Sequence, residues 1–238
     1  CVGDSSLKDL DITANLKLRS LNVTNTAIES LDLSRYKSLN SLTIWQMPNL
    51  HYLNLGDNPY ITSFQENTSA GSIRYFQTKR IKIIGSYLKT LVIGHGYNCE
   101  VQELDITECP ALVNLSFEGQ MEEIDLSKNP LLKTLTCKGG LLTSLDLSAN
   151  TALETVDCSN NKLRSLDVTR CEKLKTLNCY SNFLETLDVS GNLGLTSLDC
   201  SPMESLKTLF MDSSQRIRYI TYERNTSYIP EQTEIVYR

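Results

Sequence analysis

The feature that most constrains this chain is a 21-residue period in its second half. It is seen in LLTSLDLSANTALETVDCSNN from Leu141, KLRSLDVTRCEKLKTLNCYSN from Lys162 and FLETLDVSGNLGLTSLDCSPM from Phe183. A chain that repeats at such a period stacks similar coils, each packing only on its two neighbours. Every unit holds two alternating apolar pairs, first L-D-[L/V]-[S/T] and, about eleven residues later, [L/V]-x-C. Alternation of this kind, as in Leu187 with Val189 and Leu177 with Cys179, marks a short strand with one buried face. The linking residues are rich in Asn, Ser, Thr and Gly, and no run of ten keeps a helical period. The coil therefore reads strand–turn–strand–turn.

The first element recurs at Asp11, Asp32, Asp105, Asp125, Asp146, Asp167 and Asp188. The second places an inward residue at Val23, Ile44, Phe117, Cys137, Cys158, Cys179 and Cys200, and Ile220 and Tyr222 continue that column. About eleven coils are expected from Leu7 onwards, a stack about 50 Å long at a strand spacing of about 4.8 Å. The expected organisation is one domain: regular coils over 7–58, irregular coils over 59–103, regular coils over 104–211, and a cap over 212–238. In the irregular part, ENTSAG from Glu66 and GHGYNC from Gly94 read as loop insertions, either longer surface turns or binding loops. The final stretch is rich in Tyr, Ile and charge and suits a cap over an open sheet edge.

A net charge of -5 with mixed signs, and no Lys/Arg cluster, argues against a nucleic-acid partner. No apolar run approaches the roughly 18–20 residues of a membrane span. Cys1 stands first, as lipoprotein processing leaves it with a lipid on the thiol, or as a cut in a longer chain leaves it. Membrane association is thus expected only through a lipid at Cys1. Catalysis has little to work with, because His51 and His95 are the only histidines and lie far apart. No enzyme is expected, and no cofactor.

The pattern L-x-x-L-x-C-x-x-N-x-L-x-x-L-D-L-S-x-N-x-x resembles the bacterial leucine-rich repeats, and among them the cysteine-ladder, internalin J-like subfamily. One coil carries it through Leu174, Leu177, Cys179, Asn182, Leu184, Leu187, Asp188, Val189 and Ser190. The resemblance is tight over roughly 104–200 and looser over 7–58, and it fails across 59–103 and after about 212. It implies a leucine-rich-repeat solenoid, a right-handed horseshoe with a parallel sheet from the L-x-C strands on its concave face. Short strands and turns would form the convex face, with little helix. It also implies an extracellular binding role without catalysis. Similar chains that look like surface lipoproteins add weight to a lipid on Cys1, on the outer side of a bacterial membrane, with secretion as the other expectation.

Each column has a structural explanation. Cys137, Cys158, Cys179 and Cys200 spread along the axis, whereas tetrahedral zinc needs ligands that converge. Same-face neighbours one strand apart are also too distant for a disulfide. Four buried thiols filling a narrow core is the expectation, with no metal. Cys109 and Cys171 stand where Asn129, Asn150 and Asn192 stand in sister coils, and Cys99 could reach Cys109 if its loop folds back. Asn161 and Asn182 follow the concave strand, and the other three Asn follow the convex one. An inward amide there can satisfy both the N–H and C=O groups left over by a turning chain. The Asp column, each residue beside a Ser or Thr, reads as solvated or hydrogen-bonded structure, since no calcium loop accompanies it.

What remains is the outward side of the concave strands: Asn22, Thr24, Thr43, Trp45, Ser116, Glu118, Thr136, Lys138, Asp157, Ser159, Asn178, Tyr180, Asp199 and Ser201. Trp45, Tyr180, Glu118, Lys138, Asp157, Asn178 and Asp199 are the binding candidates, with the two aromatics as anchors. Trp45 could instead cover the irregular coils beside it. A protein partner is expected. The alternative is a glycan, held by Trp45, Tyr180 and an insertion-loop tyrosine such as Tyr97.

Overall fold

The structure is a computed structural model that describes residues 3–65, 79–93, 100–201, 203–215, 219–220 and 233–238, without the side chains of Trp45, Phe64, Gln65, Tyr219 and Ile220. The chain alternates between two faces of a coil. One face carries β1 (Ser20–Thr24), β3 (Ser41–Trp45), β5 (Ser63–Gln65), β7 (Thr90–Ile93), β9 (Asn114–Phe117) and β10 (Thr134–Thr136). It continues with β11 (Thr155–Asp157), β12 (Thr176–Asn178), β14 (Ser197–Asp199) and β16 (Tyr219–Ile220). The opposite face carries β2 (Ser30–Asp32), β4 (Tyr52–Asn54), β6 (Arg80–Ile84), β8 (Glu103–Glu108), β13 (Thr186–Asp188), β15 (Thr208–Met211) and β17 (Glu234–Tyr237). All strand pairs are parallel, and the described residues include no helix.

The first face forms an eight-stranded sheet, β16-β14-β12-β11-β10-β9-β7-β5, preceded by the pair β1-β3. The second face is paired only in two blocks, β2-β4-β6-β8 and β13-β15-β17. Over the coils between β8 and β13 the second face holds no strand among the described residues, so the eight-stranded sheet is the continuous face, the one expected to be concave. The molecule is a parallel β-solenoid of stacked coils.

The described parts of 59–103 keep the coil register, with Ser63 beside Thr90, Thr90 beside Asn114 and Tyr52 beside Lys82. The local irregularity is a register shift between Lys82 and Ile84 against β8. ENTSAG and GHGYNC, with His95, Tyr97 and Cys99, lie outside the described residues, as do Cys1 and Tyr222. Cys109, proposed above as a partner for Cys99, carries a free thiol that donates to the Ile83 carbonyl at 3.3 Å. After residue 211 the sequence pattern fades but the coil continues: β16 pairs with β14, and β17 pairs with β15. At that end the Arg238 guanidinium lies 3.8 Å from the centroid of the Phe210 ring and 2.8 Å from Asp188 Oδ2.

Columns of Leu, Val, Ile and Cys fill the interior; Leu177, Cys179, Leu184 and Val189 of one coil are all completely buried. Truncating such a leucine to alanine costs roughly 2–5 kcal/mol, so the columns hold the coils together. The turns are fastened by side-chain amides. Asn161 Nδ2 donates to Cys137 O of the preceding coil at 2.7 Å and to Cys158 O at 3.0 Å, while its Oδ1 accepts from Leu142 N at 3.1 Å. Asn182 repeats this with Cys158 O, Cys179 O and Leu163 N. These two satisfy both kinds of backbone group, as expected.

The convex ladder differs. Asn129 donates to Ile106 O and Cys109 O, Asn150 to Leu126 O and Asn129 O, and Asn192 to Val168 O and Cys171 O. Their buried Oδ1 atoms accept nothing among the described residues, so here the amide serves carbonyls only. The reason is local. The N–H three residues on, in Leu132, Leu153 and Leu195, bonds the backbone carbonyl of the ladder residue instead. The ladder also runs further than the repeat showed. Asn58 donates to Tyr36 O and Leu39 O, Gln215 to Val189 O and Asn192 O, and the Tyr36 hydroxyl to Ile12 O. The Asn-Pro pair at 58–59, matching 129–130, was the readable signal for Asn58.

Gly140 occupies the rung below Asn161, where a Cβ would come within 2.9 Å of Asn161 Oδ1 and 3.1 Å of Gly119 O. Gly140→Ala is therefore expected to lower unfolding stability by roughly 1–3 kcal/mol in urea titrations, as overpacking does. Gly139→Ala probes a different cause, because its φ of 71° is unfavourable to a side chain while the space around it is open. The corner that follows the concave strand takes the same left-handed conformation at Asn25, Gln46, Asn160 and Ser181.

Candidate functional site

The outward side of the concave sheet presents three rows, one per alternate strand position and one residue per coil. The second row contains Asp157, Asn178 and Asp199, all half-buried. Their Oδ1 atoms accept the N–H two residues on, from Ser159 at 3.1 Å, Tyr180 at 3.1 Å and Ser201 at 3.3 Å. Each polar side chain therefore closes the turn at the end of its strand and holds one fixed orientation toward solvent.

The third row contains Glu118, Lys138 and Tyr180. Lys138 Nζ lies 3.9 Å from Glu118 Oε1, a loose pair with an exposed lysine. Tyr180 is half-buried rather than freely exposed. Ser159 and Ser201, expected on the outward surface of this row, are 3% and 5% exposed. The Ser159 hydroxyl turns back onto Asp157 at 2.6 Å, which removes it from the surface. Trp45 sits at the end of β3, in register with Thr24, but its side chain lies outside the described residues.

The first row was missed by the sequence reading, which began counting outward positions one pair too late. In coil order it runs Ser20, Ser41, Ser63, Thr90, Asn114, Thr134, Thr155, Thr176 and Ser197, all half-buried or exposed. Its signal was visible as the Ser or Thr that precedes each apolar-x-apolar pair. The row is uncharged over all nine coils. A neighbouring row at the strand entrance carries ion pairs, Lys175 to Glu154 at 2.6 Å and Lys133 to Glu154 at 3.7 Å.

On the opposite face the Asp column is engaged in turn bonds. Asp11, Asp105, Asp167 and Asp188 each accept both the N–H and the hydroxyl of the Ser or Thr two residues on; Asp32, Asp125 and Asp146 accept the N–H. These donors hold the carboxyls of Asp11, Asp125, Asp146 and Asp167 below the ordinary 3.8. A depressed carboxylate stabilises the fold above its unfolded value of about 3.9, and that contribution disappears as pH falls through the lower folded value. Replacing Asp125, Asp146 and Asp167 together by Asn should keep the turns, since Asn54 and Asn178 already make the same bond to Gly56 N and Tyr180 N. The expected result is a lower thermal midpoint than wild type at pH 7 and a difference that closes as pH falls below ~4.

A cavity of about 970 Å³ opens on this convex side, lined by Glu103, Asp105, Glu122, Glu123, Asp125 and Asp146 among others. Among the described residues no three His, Cys, Asp or Glu side chains converge as a metal site would require. The six described thiols are equally withdrawn from chemistry. Burial pushes Cys109, Cys158 and Cys200 up to about 12 and Cys171 to about 11, and it pushes Cys137 and Cys179 well above 9.0. No helix among the described residues is long and apolar enough to cross a membrane.

No protein-family model and no curated protein sequence matches the chain. Solved structures similar to it include the functional domain of InlJ from Listeria monocytogenes, which includes a cysteine ladder. That likeness has 22% identity and a TM-score of 0.49, and it covers 96% of this chain and 55% of that one. The chain thus spans about half the length of that structure. A leucine-rich-repeat protein of Leptospira interrogans is similar at 16% identity and a TM-score of 0.42, over 87% of this chain and 76% of its own. An internalin (InlF) of Listeria monocytogenes is similar at 18% identity and a TM-score of 0.40, over 85% of this chain and 77% of its own.

Proposed function

We propose that this chain is a non-enzymatic recognition protein, acting outside a bacterial cell, that binds a protein partner across its concave sheet. The observation that carries the proposal is the state of the second row. Asp157, Asn178 and Asp199 are fixed by their own turns. A partner that meets fixed groups loses less rotational freedom on binding, which improves affinity without new contacts. Tyr180 stands beside them as the amphipathic anchor, with Lys138 and Glu118 at the rim of the same row. The extracellular setting rests on the resemblance of the repeat to surface leucine-rich repeats.

Binding to an arrayed panel of surface proteins, run beside a glycan array, tests the proposal. The expected result is a protein ligand whose capture drops at least about tenfold in Tyr180→Ala and falls further when Trp45→Ala is added. Capture on the glycan array alone would favour a sugar ligand, for which the neutral Ser/Thr row supplies donors and acceptors. A protein ligand indifferent to both substitutions would move the site away from this face.

A further inference from the structure

Seven large apolar side chains stand exposed among the described residues, and five of them fall on one edge of the solenoid. Leu16, Tyr60, Tyr87, Leu131 and Leu193 all lie in the turn that leads from a convex position into the next concave strand. The strand register fixes their order. Three residues before Ser63, Thr90, Asn114, Thr134 and Thr155, which pair in succession, come Tyr60, Tyr87, Ala111, Leu131 and Ala152. One position earlier come Pro59, Ser86, Pro110, Pro130 and Thr151. Neither row holds a charge over these five coils. The next coil outward brings Lys37 and Ser38 at one end and Glu172 and Lys173 at the other, and the coil beyond brings Leu16, 55% exposed, with Lys17, and Leu193, 63% exposed, with Gly194.

The row four residues before the paired strand positions, running from Leu16 and Lys37 through Pro110 to Glu172 and Leu193, is close to a palindrome centred on Pro110. When the edge is reversed and set against itself, Leu16 meets Leu193, Lys37 meets Glu172, Tyr60 meets Ala152 and Tyr87 meets Leu131. Lys17 then meets Gly194 and Ser38 meets Lys173, so apolar groups face apolar or small ones and no like charges oppose each other. A parallel arrangement would set Lys37 on Lys37 and Tyr60 on Tyr60. We propose that this edge is an interface at which two copies of the chain pair antiparallel, about a two-fold axis through Ala111. In such a contact each residue meets its counterpart twice, so one favourable match counts double.

Charges flanking the edge are largely directed within their own chain, Lys133 to Glu154 at 3.7 Å and Glu108 to Lys82 at 2.9 Å, while the exposed Lys37 also meets Asp57 of its own chain, a pair that Glu172 of the second copy would join. Nine coils give an edge about 38 Å long at a spacing of about 4.8 Å. Two residues per coil fall just short of the roughly 20–30 per side of a stable complex, so a weak dimer with a dissociation constant in the micromolar range is expected. The axis runs from the concave to the convex side, so both concave faces end on the same side of the dimer. Pairing is independent of what those faces bind.

Sedimentation from about 5 to about 500 μM, a range that brackets such a constant, tests the pairing directly. The wild type should shift from monomer to dimer, and Tyr87→Lys with Leu131→Lys should stay monomeric with an unchanged thermal midpoint. In a Cys1→Ser, Cys99→Ser background, Ala111→Cys should form a disulfide dimer under mild oxidation. Leu193→Cys alone should not, and Leu16→Cys combined with Leu193→Cys should. A monomeric wild type at the highest concentration overturns the proposal. So does a dimer indifferent to the two lysines, or Ala111→Cys crosslinking no better than Leu193→Cys.

Discussion

Asn161→Leu is expected to lower the free energy of unfolding by roughly 3–5 kcal/mol, a large share of what a domain of this size holds. The leucine removes donors to Cys137 O and Cys158 O and the acceptor for Leu142 N, and all three groups sit at buried positions between coils. A buried backbone group left without a partner costs about 1–3 kcal/mol, and no water can replace the amide in a packed corner. Asn150→Cys is the instructive control. Cys109 and Cys171 already occupy that position in sister coils, so the loss there should stay near 1–2 kcal/mol, and the chain should remain cooperative. Chemical unfolding of the two variants beside the wild type separates them. Equal losses would mean that Asn161 acts by filling space and not by bonding across coils.

The second large effect is expected from the cysteine column. Cys137, Cys158, Cys179 and Cys200 are between 0 and 5% exposed, each stacked on the next rung. Cys179→Ser exchanges a weakly polar sulfur for a hydroxyl in an apolar column, at a cost of about 1–3 kcal/mol. Converting all four to Ser multiplies that cost and should leave the chain unfolded at 25 °C by circular dichroism. Cys179→Ala, which leaves only a small void, should be the milder change. Thiols held near 12 by burial should also resist alkylation at pH 8 until denaturant is added, as peptide mapping of Cys158 and Cys200 would show. Rapid labelling of either under native conditions would mean that the column is open to solvent.

Periodicity made most of the fold legible because each inward column depends on short-range alternation and a constant step. Cys137, Cys158, Cys179 and Cys200 are therefore where their spacing requires. The coils of 59–103 were harder to read, because the steps between their strands lengthen and no fixed period remains to count by. Their strands nevertheless keep register with neighbours. Gln215 and Tyr36 escaped notice for a different reason: backbone carbonyls need only a donor that reaches them, and an amide or a phenol one rung along can serve as well as Asn. The candidate site was the least legible part. Alternation identified outward positions but not which of them are tied into turns, so Ser159 and Ser201 were expected at the surface when their hydroxyls face Asp157 and Asp199. The edge stripe escaped entirely, since its residues share neither type nor motif and become neighbours only once coils are stacked.

The bonds between coils also have a direction. Tyr36, Asn58, Asn129, Asn150, Asn161, Asn182, Asn192 and Gln215 all reach back toward the coil before them. Each coil thus carries the clasp for its predecessor and waits for its successor to supply its own. A gene duplicating one such unit would insert a part that arrives with its coupling already attached, wherever along the row it landed. Lengthening the solenoid by whole units therefore demands no compensating change elsewhere, whereas a fractional insertion would leave one clasp facing nothing.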